Sequence, residues 1–302
     1  MTKLDTLYET LRERLPELEL LRDEPMSRHI TFRVGGPASL MALPKKEFDL
    51  VEAVRIARSM EIEPIFVGNG SNLLVDDKGL DAFVVKTGGL SYVRVEGETV
   101  TAGCGALLAS IANEAAKRSL TGFEFAHGIP GTLGGAVSMN AGAYGGEMVQ
   151  VVASVLALDE NSQFREMTAE ECEFTYRHSF FSDSKYLILA ATLQLQKGDA
   201  GAIRSRMAEL MAKRKEKQPL EYPSAGSTFK RPEGHFAAAL IDKCNLKGLA
   251  IGGAQVSPKH AGFVVNTGMA TCKDVLDLMG VVQDCVYRVT GVKLEPEVKY
   301  LK

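Results

Sequence analysis

The chain of 302 residues has no excess of basic charge, no closely spaced cysteines and no long apolar run, and each absence removes a class of function. Its 35 Lys and Arg are set against 38 Asp and Glu, a formal net charge of −3. No basic field is available to hold a nucleic-acid backbone or an anionic membrane, so neither is an expected partner. Any phosphate-bearing ligand must be captured by a local site. The five cysteines (Cys104, Cys172, Cys244, Cys272 and Cys285) are odd in number and include no C-x-x-C pair. That pattern argues against a zinc site or a disulfide framework and for reduced, mostly buried thiols. The five histidines (His29, His127, His178, His235 and His260) show no H-x-x-x-H or H-x-H spacing, so no metal is expected. The G-x-S-x-G elbow of serine hydrolases is missing, and Ser227 lies in A-G-S-T-F instead. The N-terminus carries charged, helix-forming residues where a secretory signal would be apolar, and no apolar run approaches membrane-spanning length. Together these absences predict a cytoplasmic protein.

What is present is ordinary in bulk and unusual in places. Hydrophobic residues make up 45% and charged residues 24%, normal for a globular chain, and the length favours two or three domains over one core. Leu4, Leu7, Leu11 and Leu15 share a helical face within residues 3–22, with Pro16 ending or kinking the helix. Helices are expected at 46–60, 105–118, 200–217, 236–244 and 271–290. Strands are expected near 39–43, 64–67, 73–75, 82–86, 91–95, 98–102, 149–158, 186–196, 249–251, 262–266 and 294–301. Short strands without regular β-α-β alternation define an α+β class. Pro219 and Pro223 mark a boundary after a polar connecting helix at 199–219, leaving 220–302 as a smaller α+β domain.

Two glycine loops carry the first chemical signal. V-G-N-G-S-N-L-L-V (67–75) follows a strand, and Gly68, Asn69, Gly70, Ser71 and Asn72 could form a nest of donors for a pyrophosphate. The third glycine of the Rossmann fingerprint and the Walker A lysine are both missing, and a plain β-turn is an equal reading. The second loop, H-G-I-P-G-T-L-G-G-A-V-S-M-N-A-G-A-Y-G (127–145), is poor in charge and rich in small residues. Its backbone donors need acceptors, and a flat ligand with polar edges would supply them. The competing reading is a glycine-rich helix packed closely on a neighbour. Further along stand Y-R-H (176–178), A-G-S-T-F-K-R-P (225–232) and L-E-P-E-V (294–298). Singly, each has a bland explanation. Jointly they offer a fixed cation, a hydroxyl and a carboxylic acid, the groups that proton delivery to a developing enolate requires.

T-F-R-V-G-G-P-A, both glycine loops, F-x-Y-R-x-S-x-F, A-G-S-x-F-K-R-P and L-E-P-E-V follow one another in a fixed order from Thr31 to the C-terminus. In this the chain resembles the UDP-N-acetylenolpyruvoylglucosamine reductases. The resemblance implies an N-terminal helix (1–25) and an FAD-binding region of the vanillyl-alcohol-oxidase (PCMH) type at 26–198. That region would have subdomains of about 26–90 and 91–198, with a substrate-binding domain at 220–302. It implies non-covalent FAD held by the first loop and by Gly128, Ile129, Pro130, Gly131, Gly134, Gly135, Ala136, Asn140, Gly142 and Ala143. It also implies a ping-pong reaction in which NADPH reduces FAD and leaves, after which the enolpyruvyl sugar nucleotide takes hydride at C3 and a proton at C2. By motif, Ser227 would donate that proton, while Arg177 and Glu297 would polarise the substrate carboxylate. Lys217, Arg231 and His260 fall at positions resembling substrate or cofactor contacts. Gly253 follows Pro232 by only 21 positions, leaving no room for an inserted segment that some members carry, so the chain resembles the shorter subtype. A different flavoenzyme of the same fold, or a nucleotide-binding module without activity, are the alternatives.

Overall fold

The computed structural model describes residues 2–302. The chain opens with α1 (Lys3–Arg14), β1 (Glu19–Pro25), β2 (Pro37–Leu43), α2 (Glu47–Ser59), β3 (Ile65–Val67), β4 (Leu73–Val75) and β5 (Leu80–Lys86). Next come β6 (Val93–Glu96), β7 (Thr99–Gly103), α3 (Leu108–Lys117), β8 (Leu120–Thr121), α4 (Leu133–Ser138), β9 (Gly142–Ala143) and β10 (Gly146–Glu147). The strands β11 (Val152–Leu158), β12 (Phe164–Thr168), β13 (Leu187–Gln194) and β14 (Gln196–Lys197) lead to the long helix α5 (Ala200–Lys217). The chain closes with α6 (Ala237–Lys243), β15 (Ala250–Ile251), β16 (Ala254–Val256), β17 (Val264–Asn266), α7 (Cys272–Thr290) and β18 (Lys299–Leu301). This is the α+β class read from the sequence. Among the described residues no helix is long and apolar enough to cross a membrane.

Two compact units are built from discontinuous stretches of chain. The first takes residues up to Arg22, Leu40–Asn69 and Ala82–Lys213; the second takes Asp23–Ser39, Gly70–Asp81 and Arg214–Lys302. In the first, an antiparallel sheet runs in the order β12-β11-β13-β7-β6, and a second sheet in the order β1-β2-β5-β3, with β3 and β5 parallel. Its β13, L-I-L-A-A-T-L-Q, is apolar on both faces because it lies inside the sheet with helix and strand neighbours. One core gathers Leu7 and Leu11 of α1, Leu50 and Val54 of α2, Phe83, Ile111, Leu133 and Val155. Thr2 begins α1 with a reciprocal capping box to Asp5.

In the second unit, β15-β16-β17 form an antiparallel sheet and β18 lies parallel to β4. Helix α7 buries Val275, Leu278, Met279, Val282 and Val286, a stripe at 3–4-residue spacing. Its start is fixed twice. Thr271 and Asp274 make a capping box, and the Asp77 carboxylate accepts the N–H groups of Cys272 (2.7 Å) and Lys273 (3.0 Å). A negative charge there also complements the helix dipole. Gly291, at φ 72°, ends the helix in a left-handed cap.

Several elements differ from the sequence reading. The first helix stops at Arg14, and Glu19–Pro25 is a strand; Pro16 cannot continue the helix, and the sheet takes the chain beyond it. The glycine-rich stretch holds a short helix, α4, and a hairpin of β9 and β10. Strands β12 and β16 were not signalled, because their partners rather than their own composition make them strands. The last strand is shorter than 294–301. Residues 295–297 instead run beside 228–230, through the Phe229–Pro296 bridge and the Lys230 N–H to Glu295 carbonyl bond of 2.9 Å.

Candidate active site

In the first unit, β3 delivers the first glycine loop against the second. A Cβ on Gly68 would stand 2.1 Å from Thr132 Oγ1, so only glycine allows this approach. The Asn69 amide donates to the Pro130 carbonyl at 2.7 Å, tying the two loops together. Lys86, paired across the parallel strands with Val67, donates from Nζ to the Gly68 carbonyl at 2.6 Å. Burial pushes its ammonium down to about 8. No motif pointed to Lys86, since only the β3–β5 register brings it to the loop.

The expectation that the second loop's backbone donors lack partners does not hold for several of them. Ile129, Leu133, Gly134 and Ala136 donate to Ala126, Ala106, Cys104 and Thr132 carbonyls respectively. Gly134 is a packing glycine, with the Cys104 Cβ only 3.0 Å from where its own would lie, and Ala136 is buried in α4. What lacks a partner is side-chain chemistry. Thr132 Oγ1 and His127 Nδ1 are buried with no hydrogen-bond partner in the protein. Buried polar atoms are nearly always paired, so a ligand with polar groups fits here. The residues therefore suit FAD: Gly128, Ile129, Pro130, Gly131 and Gly135 surround this position in sequence.

The later half of the same motif also seats Arg177. Tyr176 and Arg177 sit at the tip of a tight turn closed by mutual Thr175–His178 backbone bonds. Arg177 has φ 57°, unusual for a residue with a side chain. Its guanidinium donates from Nη2 to the Gly142 carbonyl at 3.1 Å, lies 4.0 Å from Glu147 Oε1 and stacks 5.1 Å from the Tyr176 ring. Asn140, 1% exposed, donates to the Thr175 carbonyl (2.9 Å) and Glu147 Oε2 (3.2 Å) and accepts from the Val149 N–H (3.0 Å). The β9–β10 pairing of Ala143 with Gly146 holds Gly142 in place. Glu147 was missed in the sequence because one glutamate among many carries no local signal.

In the second unit the two C-terminal motifs meet. Thr228 donates to the Gly262 carbonyl (2.9 Å), its hydroxyl accepts from Val264 N–H (2.9 Å), and its carbonyl accepts from Glu297 N–H (2.8 Å). Exposed Ser227 precedes this buried threonine, so Ser227 and half-buried Glu297 stand on neighbouring segments. Gly70, at φ 63°, accepts from Thr31 N–H (3.2 Å), and the Thr31 hydroxyl donates to the Ser224 carbonyl (2.6 Å). The Asn72 amide donates to the Glu297 carbonyl at 3.0 Å. Half-buried Ser71 lies between these two anchored residues. The exposed Arg231 lies 4.4 Å over the Phe236 ring. His260 accepts the Gly262 N–H at Nδ1 (3.1 Å), leaving Nε2 as the protonated nitrogen. Burial holds its imidazole below the usual value, with smaller contributions from the nearby Lys247 and Lys217 ammonium groups.

The glycine loops and the orphaned buried polar atoms beside them fit an FAD-binding flavoprotein of the α+β class. An FAD-binding-domain pattern matches residues 38–168, and the C-terminal-domain pattern of UDP-N-acetylenolpyruvoylglucosamine reductase matches residues 218–301. An alkyldihydroxyacetonephosphate synthase shares the fold alone, at TM-score 0.50 and 15% identity over 64% of this chain and 40% of that one. Over nearly the whole chain the likeness is far closer. The UDP-N-acetylenolpyruvoylglucosamine reductase of Caldanaerobacter subterraneus is 48% identical over 295 residues, 98% of each chain. That of Clostridium perfringens is 46% identical over 301 residues, covering 100% of this chain and 99% of its own. The crystal structure of the Thermus caldophilus reductase superposes with a TM-score of 0.81 at 35% identity, covering 94% of this chain and 99% of that one. The chain belongs to the UDP-N-acetylenolpyruvoylglucosamine reductase family.

Proposed function

We propose that this chain reduces UDP-N-acetylglucosamine enolpyruvate to UDP-N-acetylmuramate, with non-covalent FAD and with NADPH as reductant, in cytoplasmic peptidoglycan precursor synthesis. Family membership and the FAD-binding pattern support the reaction and the cofactor. When bound, FAD supplies the hydride-transfer chemistry. Gly68, Asn69, Gly70 and Ser71 of the first glycine loop and the second loop, with Thr132 and His127, are proposed to hold it, and residues 220–302 to bind the sugar nucleotide.

The chain's own residues do the rest. Ser227 is the proposed proton donor to C2, its hydroxyl carried on the backbone segment that Thr228 anchors. Glu297 is the proposed carboxylate partner. Arg177 is the proposed cation, held by Gly142 and Glu147 so that little ordering remains when substrate charge develops. Stabilising that charge as it grows, rather than in the ground state, is what raises the rate. Arg231, Lys217 and the neutral His260 are proposed substrate contacts, the first two for phosphates or carboxylate and the third as an Nε2–H donor. The single observation that carries this reading is the pairing of 228–230 with 295–297, which brings the serine and the glutamate motifs side by side.

Anaerobic stopped-flow absorbance tests it. The purified protein should carry a flavin spectrum, bleach with NADPH and recover rapidly with the enolpyruvyl sugar nucleotide but slowly with oxygen. Fast recovery with oxygen and none with the sugar nucleotide would make it an oxidase instead.

A further inference from the structure

Glu297 is held at both of its main-chain polar groups, and by different partners. Its N–H donates to the Thr228 carbonyl at 2.8 Å. Its C=O accepts from the Asn72 side-chain amide at 3.0 Å. Asn72 also binds the far side of the same segment, its own carbonyl accepting the Lys299 N–H at 2.9 Å, where β4 and β18 begin their parallel pairing. One asparagine thus brackets the glutamate from Glu297 to Lys299. The carbonyl is pinned by a side chain, and with both peptide groups fixed the Cα–Cβ direction of Glu297 is fixed as well. The Asn72 side chain commits one of its two amide N–H donors to that carbonyl, and its main-chain carbonyl to Lys299.

We infer that Asn72 is a positioning residue for Glu297 rather than a cofactor contact: it aims the carboxylate used in substrate reduction by gripping the backbone that carries it. The inference rests on the proposed role of Glu297 and goes beyond it. A misplacement of about 1 Å can cost on the order of 10²-fold in rate. Asn72→Ala should therefore slow the limiting rate of flavin reoxidation by the sugar nucleotide by about 10- to 10²-fold. Its half-saturating concentration, the FAD content and the rate of flavin reduction by NADPH should all stay near native. Asn72→Asp is nearly isosteric but offers no N–H to the carbonyl, so it should match the alanine variant rather than the native protein.

The discriminating measurement is a double-mutant cycle on that limiting rate with Glu297→Gln. If Asn72 acts through Glu297, the double variant is no slower than Glu297→Gln alone. A slow Glu297→Gln with a native-rate Asn72→Ala, or with fully additive losses, overturns the positioning role while leaving Glu297 in the reaction. A native-rate Glu297→Gln removes Glu297 and the inference together. Loss of FAD or slowed NADPH reduction in both Asn72 variants would make Asn72 a cofactor contact and overturn it too.

Discussion

Arg177 shows how much backbone a single functional side chain can commandeer. Its φ of 57° is set by the tight turn, and Asn140 spends a buried amide on the same turn. The motif F-T-Y-R-H-S made the arginine legible; its seat was not, because Gly142, Asn140 and Glu147 come to it only through folding. Lysine would keep the charge but lose the planar fork that reaches the Gly142 carbonyl while presenting a second face. Arg177→Lys should leave FAD content and NADPH reduction unchanged and slow reoxidation by substrate strongly; an unaltered turnover number removes Arg177 from the mechanism. Ser227 gives a complementary residue-scale outcome. In Ser227→Ala the NADPH half-reaction should run near the native rate, and the second should fall by about 10²–10⁴-fold, the range of general acid–base catalysis. Ser227→Cys should recover part of the loss. A normal limiting rate with raised half-saturation would reduce Ser227 to a turn residue.

Elements separate glycines that the sequence lumped together. Both Gly68 and Gly134 looked like ligand glycines, yet Gly134 packs α4 against Cys104 while Gly68 lets a loop approach Thr132. Gly134→Val should chiefly lower stability, by about 1–3 kcal/mol as overpacking does. Gly68→Val should fold with normal far-UV circular dichroism but purify with little flavin; full FAD occupancy would separate that loop from the cofactor. The ends of α7 are a second elementwise case. Asp77→Ala removes the acceptor for two first-turn N–H groups and should cost about 1 kcal/mol in urea unfolding. Helices α2, α5 and α7 were readable within a residue or two because apolar spacing and caps are local. The strands β12 and β16 and the 295–297 pairing were not, since strand pairing is a property of two segments.

At the scale of the whole molecule, the orphaned Thr132 hydroxyl and His127 nitrogen predict that stability is completed by the ligand. Each buried polar group without a partner costs about 1–3 kcal/mol, and a ligand that supplies one returns it. FAD binds the folded chain only, so at 100 times its Kd it should stabilise the unit that holds it by about 2.7 kcal/mol. For cooperative units of this size that is a rise in melting temperature of about 5–10 °C. The measurement is a thermal melt of flavin-stripped protein with and without added FAD, followed by circular dichroism and, for the holoprotein, by flavin fluorescence. Gly68→Val provides the control: it should melt below the stripped native protein because its Cβ crowds Thr132, and gain almost nothing from FAD. Thr132→Val, which removes the unpaired hydroxyl and keeps the shape, should melt higher than native without FAD and gain less from it. If Thr132→Val instead gains the full native increment, the hydroxyl does not face the cofactor. If the stripped native protein gains nothing at saturating FAD, these loops do not form its site.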